Sequence, residues 1–373
     1  MSIRPTIAEV DLRAISNNIK AIRRKVTPAQ VMAVVKANAY GHGLKEVAKI
    51  AMANEVNYLG VALLEEGVQL RTLSKQFPVL VFGGFFESQI EAALRNNLEL
   101  TLYDGHRARL LSQKAGQLAK TARVHIKIDT GMGRIGVPWS EAVDFIKEVI
   151  QLKNIEIVGV YTHFASADER DKSYARKQLQ RFQSVLAKLQ EAKIHVPLQH
   201  AANSGAILDL PESYFNLVRC GVSMYGYYPS RETSESLKLS PAMILKSQII
   251  SLKQINKNSY ISYNRTYKTD GDTVIATVPI GYGDGYNRLL SNRGKVLISG
   301  QRYPVVGRVC MDQIMVDVGP KPQINVGDEV VLLGKQGKEE ISMYEICDLL
   351  NTIPYEVTCW ISERVPRIYR NLN

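Results

Sequence analysis

A rhythm constrains this chain more than any single motif does. Over its first two-thirds, short runs of β-branched and aliphatic residues alternate with amphipathic segments of helix length. The runs are VMAVV near 31, YLGVAL near 58, VLVFG near 79 and LELTLY near 98, then RVHIKID near 123, IEIVGVYTHF near 155, PLQHAA near 197 and FNLVRCG near 215. Between them lie segments such as 43–53, 87–97, 105–118 and 171–192, whose apolar residues recur at helical spacing. Near-continuous apolar runs are what parallel strands look like when helices cover the sheet. Eight of them alternating with helices is the count for a (β/α)8 barrel, with a doubly wound open sheet as the runner-up.

The texture changes near residue 235. Runs such as AMILKSQIISLKQI, TVIATVPIGYGDG, KVLISGQRYPVVG, QIMVDVG and DEVVLLG follow one another directly, with turn signals at Ser299-Gly300 and Gly307. The expectation is therefore an α/β chain. Residues 1–235 form the barrel, and residues 236–373 form a mostly β domain with one helix near 342–350. A first strand near 6–11 is free to pair with the C-terminal domain.

Composition excludes several classes. No run of eighteen apolar residues exists in the 373, so no transmembrane helix is expected, and MSIRPTIAEVDLR lacks the apolar centre of a signal peptide. Cys220, Cys310, Cys347 and Cys359 form neither a disulfide framework nor a zinc spacing, which points to a reduced, cytoplasmic protein without a metal. The net charge of +11 is dispersed, and its densest runs, RRK at 23–25 and RVPRIYR at 364–370, carry no nucleic-acid motif. A solvated basic surface that attracts small anions is the better account, with neither nucleic acid nor membrane as partner.

In a barrel of this kind, functional groups gather at the C-terminal ends of strands. The first run ends in Lys36, with Tyr40 four residues on, in VMAVVKANAYGHG. An ammonium at the tip of a buried strand is either structural or an amine made nucleophilic by burial. In RVHIKIDTGMGRIG, Val124, Ile126 and Ile128 alternate with His125, Lys127 and Asp129, so the polar set faces the lumen, and Arg134 follows across a glycine-rich turn. Tyr161 and His163 share a face on the next strand; the last two runs end in His200, Asn203 and Ser204, and in Arg219 and Gly221. Each alone has a structural reading. Together, a lysine, a histidine, an arginine and phosphate-friendly turns suit a phosphorylated cofactor held by a Schiff base.

AVVKANAYGHG resembles the pyridoxal-phosphate lysine motif of the alanine racemases. The resemblance runs the length of the chain through HIKIDTGMGRIGV, YTHFASADE, HAANSG, VRCGVSMYG, ISYNRTY, VPIGYGDGY, GRVCMDQIMVDV and IPYEV, in that order. It implies a barrel followed by a β domain, and a head-to-tail homodimer with composite active sites. It further implies pyridoxal 5'-phosphate as cofactor and alanine as substrate, with D-alanine supplied to cell-wall peptide synthesis. By matching motif, Lys36 is the cofactor lysine and one catalytic base, and Tyr263 is the second, donated across the dimer. Tyr40, Asn203, Ser204, Gly221, Val222 and Tyr355 fall at cofactor, chiefly phosphate, positions. Arg219 faces the pyridine nitrogen and His163 links it to Tyr263. Arg134 and Met311 serve the substrate carboxylate, Arg134 also touching the cofactor. Lys127 matches a lysine carbamylated in many members, and Asp168, Tyr282, Arg288 and Arg308 line a narrow entrance.

The chain departs from the family after the catalytic tyrosine, where Asn264 replaces a usual glycine. Asparagine tolerates positive φ better than most residues, so the turn can survive. A basic amino acid decarboxylase of similar architecture would carry an acid where Arg219 stands. A single-barrel pyridoxal-phosphate carrier would lack the C-terminal third, and a serine or broad-specificity racemase remains the alternative reading.

Overall fold

The computed structural model describes residues 4–371. It divides into two compact units. One comprises Ala14–Ala39 and Gly43–Ser240; the other comprises the chain's start through Arg13, Tyr40–His42, and Pro241 onward.

The first unit is a nearly closed barrel of eight parallel strands. Preceded by β1 (Ile7–Asp11) of the other unit, they are β2 (Gln30–Val34), β3 (Tyr58–Val61), β4 (Val79–Val81), β5 (Glu99–Leu102), β6 (Ala122–Asp129), β7 (Ile155–Tyr161), β8 (Leu198–His200) and β9 (Leu217–Cys220). They pair in that order, and β9 returns to β2 with Leu217 opposite Gln30. The last gap is bridged where the Arg219 amide donates to Ala202 O at 3.0 Å. This closure decides for the barrel over the open sheet, and the eight expected runs are its eight strands.

The intervening helices are α1 (Leu12–Val26), α2 (Leu44–Ala53), α3 (Leu64–Leu70), α4 (Glu87–Arg95), α5 (Gly105–Gln117), α6 (Ala142–Ile150), α7 (Ser173–Glu191) and α8 (Ser204–Asp209). Their buried stripes, such as Ile90, Ala93 and Leu94 on α4, fall at the i, i+3, i+4 spacing of a one-sided helix. The lumen is packed at its base by Met32, Tyr58, Leu80, Val158, Leu198 and Leu217, drawn from six different strands, with Phe82 against them. Polar groups share the lumen with that layer, Glu99 standing in register with Leu80.

The second unit is mostly β. Its strands are β1, β10 (Met243–Gln248), β11 (Ser251–Ile255), β12 (Thr273–Val278), β13 (Lys295–Ile298), β14 (Gln301–Pro304), β15 (Ile314–Asp317), β16 (Glu329–Gln336), β17 (Glu339–Ile341) and β18 (Arg367–Arg370). The main sheet runs β14-β13-β16-β10-β1-β18, with β17 on β16, and β11-β12-β15 form a second sheet. β1 lies antiparallel to β10 and parallel to β18, which joins the two ends of the chain. Helices α9 (Met343–Leu350) and α10 (Pro354–Trp360) complete the unit. Among the described residues, no helix is long and apolar enough to cross a membrane.

Gly159 shows how tightly the lumen is fitted. It stands opposite His125, and a Cβ there would lie 2.4 Å from the His125 ring nitrogen. Overpacking of this kind costs about 1–3 kcal/mol. We expect Gly159→Ala to lower the urea midpoint accordingly at unchanged m-value; an unchanged midpoint would mean that the imidazole can move aside freely.

Candidate active site

Lys36 follows β2 and opens an unusual backbone turn. Ala37, Asn38, Ala39 and Tyr40 have φ of 52°, 51°, 54° and 52°, one turn of left-handed helix built without glycine. Such a conformation brings Cβ against the following carbonyl at about 1–2 kcal/mol per residue, so the surroundings must hold it. The Ala39 amide donates to Val35 O at 2.8 Å, the Gly43 amide to Asn38 O at 2.9 Å, and the Leu44 amide to the Asn38 side chain at 2.8 Å.

On β9, the strand paired with β2, Arg219 finds only neutral acceptors among the described residues. It donates to the carbonyls of Thr162, His200 and Ala201 at 2.8, 3.1 and 2.9 Å, and to Nδ1 of His200 and His163 at 3.1 and 3.3 Å. A guanidinium only donates, so both imidazoles must accept at Nδ1 and carry their proton on Nε2. His200 Nε2 then donates to His125 Nδ1 at 3.0 Å, and His125 Nε2 faces Glu99 Oε2 at 2.8 Å. The Glu99 carboxylate also ion-pairs with Arg123 at 3.1 Å. Tyr161 stacks on His200 with centroids 4.7 Å apart, and its hydroxyl meets that of Thr101.

The charges explain the protonation states. Burial brings the Arg219 pKa down to about 10, which still leaves it charged near neutrality. Burial, followed by the charges of Lys127, Arg219, Arg134 and Lys36, holds His163 well below its ordinary pKa. His200 is lowered by burial and then by Arg219, His125 and Lys127. Lys127, only 3% exposed and 4.4 Å above the Tyr161 ring, is pushed well below the usual lysine pKa by burial, Arg219 and Arg134, against the pull of Asp129.

The loops around the mouth are fixed by local bonds. Asp129 Oδ1 accepts the Gly131 and Met132 amides at 2.8 and 2.9 Å, and its Oδ2 accepts that of Gly133 at 3.0 Å, which shapes the loop carrying Arg134. Gln178, fully buried, braces the neighbouring loop by accepting the Ala165 amide and donating to His163 O. Asn203 caps α8 at the Ala206 amide. Ser204 Oγ accepts the Gly221 and Ser223 amides, at 3.0 and 3.3 Å, which flank Val222. Asp168 lies on a loop packed over Gly205, its carbonyl accepting from Ser230.

The second unit groups the remaining candidates. Tyr40 and Tyr355 stand with ring centroids 5.9 Å apart. Tyr263, 68% exposed, sits on a short turn where Asn264 adopts φ 59°. Ser262 Oγ donates to Arg308 O at 2.7 Å, and Gly307 (φ 72°) approaches so closely that a Cβ would lie 2.6 Å from that of Ser262. The Tyr282 amide bonds Cys310 O and the Gly283 amide bonds Met311 O, while the Arg288 turn reaches the Val309 amide through Ser291 Oγ. Tyr263, Tyr282, Arg288, Arg308 and Met311 are thus tied into one rim.

The motif-matched residues fall into these two groups with the geometry above, and comparison with known proteins is decisive. A family model described as alanine racemase, N-terminal domain, matches residues 10–229, and one described as alanine racemase, C-terminal domain, matches residues 242–369. The chain belongs to the alanine racemase family.

An alanine racemase of Methanococcus maripaludis is 48% identical over 99% of this chain and 100% of its own length. The solved alanine racemase of Clostridium difficile 630 matches with a TM-score of 0.95 and 41% identity, covering 99% of this chain and 97% of that one. A histidine racemase from Leuconostoc mesenteroides shares the architecture at a TM-score of 0.91 and 28% identity, over 100% and 99%.

Sequence reasoning left out several residues that shape this racemase-family site. Glu99 and Gln178 partner the lumen groups but sit on other elements, and a carboxylate in a strand carries no distinguishing signal. Buried Asp284 accepts Arg4 at 2.7 and 2.6 Å and pairs with Arg364, bracing the turn after Tyr282. Glu66, considered below, had a readable sign as the third residue of a helix.

The buried imidazoles give the fold a pH dependence. His163 and His200 stay neutral in the folded chain, whereas unfolded histidines bind protons below about pH 6.5. Their contribution is therefore complete above that pH and declines as pH falls below it, by up to about 1.4 kcal/mol per pH unit for each group. The urea midpoint should fall between pH 6.5 and 5, and more gently in His200→Asn; identical slopes would show that His200 protonates normally in the native state.

Proposed function

We propose that this chain interconverts L-alanine and D-alanine with pyridoxal 5'-phosphate bound at the barrel mouth. The observation that carries this is the full-length match to alanine racemases together with a charged Arg219 bonded to neutral His163 at the mouth. Such a mouth needs an anionic guest. The donors fit one: the Ser204 hydroxyl and the Val222 amide, beside a Gly221 amide that here bonds Ser204 Oγ and an Asn203 that caps α8, suit a phosphate. Tyr40 and Tyr355 are assigned phosphate contacts by motif match. When bound, the cofactor supplies an electron sink that makes the Cα proton of an attached amino acid removable.

The residues then have separable tasks. Inversion needs a proton acceptor on each face of the reacting carbon; Lys36 serves one and Tyr263 of a second copy the other. A phenol with pKa about 10 is a weak base near neutrality. His163, whose Nδ1 accepts from Arg219, has its Nε2–H to offer that phenol's oxygen, which eases loss of its proton. Because Arg219 stays charged, it would give the ring nitrogen of a bound cofactor no proton, which would favour return of the proton to Cα over other outcomes. Arg134 and the Met311 amide take the substrate carboxylate. Asp168, Tyr282, Arg288 and Arg308 line the approach.

Two further assignments have support in this chain. Burial, Arg219 and Arg134 push Lys127 toward the free amine, the form that attacks CO2; the N–C bond would form, a proton would leave, and the carbamate anion would offset the charges of Arg219 and Arg134. Homodimerisation is supported by Tyr263, Met311 and Tyr282, which stand 68%, 52% and 43% exposed in the single chain.

Purified protein given pyridoxal phosphate and L-alanine should yield D-alanine, and absence of D-alanine would overturn the proposal. L-serine and L-histidine test the broader racemase reading in parallel. Lys36→Ala and Tyr263→Phe should each lower kcat by about 10²–10⁴. Mixed, refolded samples of the two should regain activity through sites that combine unaltered residues; failure to do so would place both bases in one subunit. Arg219→Glu should raise the fraction of turnovers ending in transamination, and unchanged partitioning counts against the role given to Arg219.

A further inference from the structure

Left-handed turns of four non-glycine residues do not hold themselves. Three of the bonds that shape Ala37–Tyr40 are local, linking residues 35–44 to one another. The fourth comes from a different strand–helix unit: Glu66 Oε1 accepts the Ala37 amide at 2.5 Å. Its other oxygen accepts the amides of Ala62 and Leu63, at 2.9 and 3.1 Å, where α3 begins. Glu66 is thus anchored on the end of β3, the strand paired with β2, whose Gly60 O also accepts the Val35 amide at 2.8 Å.

The Ala37 amide belongs to the peptide that joins Lys36 to Ala37. Fixing it fixes ψ of Lys36 and φ of Ala37 together, the two torsions at which the extended strand becomes a left-handed turn. A charged acceptor makes the bond strong as well as directional. We propose that Glu66 is a positioning residue for Lys36: its carboxylate staples the strand ends of β2 and β3 and sets the direction in which the lysine leaves the backbone. The inference rests on the role given to Lys36 above.

The chemistry of the staple is specific. Three N–H donors meet two carboxylate oxygens. An amide has one oxygen, and its NH2 would point donor to donor at one end. Aspartate, one methylene shorter, keeps an acceptor for the helix amides but loses the reach to Ala37.

The test uses apoprotein of wild type, Glu66→Gln and Glu66→Asp. Amide exchange over residues 36–40 should rise at least tenfold in both variants, with protection of β5–β8 unchanged. Capture of added pyridoxal phosphate by Lys36, in which the amine displaces water from the aldehyde, should slow at least tenfold when trapped by borohydride and read by peptide mass. Glycine takes φ near 52° without steric cost. Adding Ala37→Gly to Glu66→Gln should therefore restore capture several-fold, while Ala37→Gly alone changes it less than twofold. Unchanged exchange overturns the staple, and raised exchange with unchanged capture overturns its effect on Lys36. Should Glu66→Gln not fold, Glu66→Asp carries the same two readouts. If wild type itself fails to capture the aldehyde at Lys36, the proposed function falls while the exchange comparison still judges the staple.

Discussion

The site depends on one uncompensated charge. Every hydrogen bond made by the Arg219 side chain ends on a carbonyl or an imidazole nitrogen, and none of these acceptors carries negative charge. A buried guanidinium with a carboxylate partner would be electrostatically quiet. This one adds its charge to the effect of burial, which together hold His163 and His200 below their ordinary pKa and push Lys127 toward the free amine. A lumen organised in this way favours whatever brings in negative charge. It also makes the tautomer of each nearby imidazole a consequence of the arginine rather than an independent choice.

Backbone geometry supplies the second requirement, which is precision at the strand ends. Strands β2 and β6 are rigid because they are paired on both sides within a closed sheet. Their ends then do unusual things: β2 runs into a left-handed turn, and β6 into a loop whose successive amides converge on the Asp129 carboxylate. In both places a side-chain oxygen takes backbone N–H groups that have no strand or helix partner. Sub-ångström placement of reacting groups depends on such second-layer bonds as much as on the groups themselves.

The barrel was legible because parallel strands buried by surrounding helices are nearly continuous apolar runs, and all eight could be picked out. The open-sheet alternative stayed alive because periodicity does not say whether the last strand meets the first; that is a matter of register, with Leu217 opposite Gln30. In β6 the period of two correctly sent His125 and Lys127 toward the lumen. Their partners were hidden for the same reason as closure. Glu99 meets His125 because Leu100 pairs with Val124, a register that no pattern within either strand specifies. Lys36, Arg219 and Tyr263 were singled out by motif resemblance rather than by composition. Glu66 was overlooked because a glutamate three residues into a helix is common and says nothing about a third donor 29 positions away.

The polar lumen also explains why the barrel needs its apolar base. A column of arginine, two imidazoles and a carboxylate buries polar groups that are worth little net stability even when fully paired, and that cost several kcal/mol if one partner is lost. The layer of Met32, Tyr58, Leu80, Val158, Leu198 and Leu217 beside it supplies packing that does not depend on protonation. The division lets the upper lumen be arranged for charge rather than for stability. It also accounts for the tight fit at Gly159, where backbone, imidazole and apolar layer meet and the available room is that of a hydrogen atom.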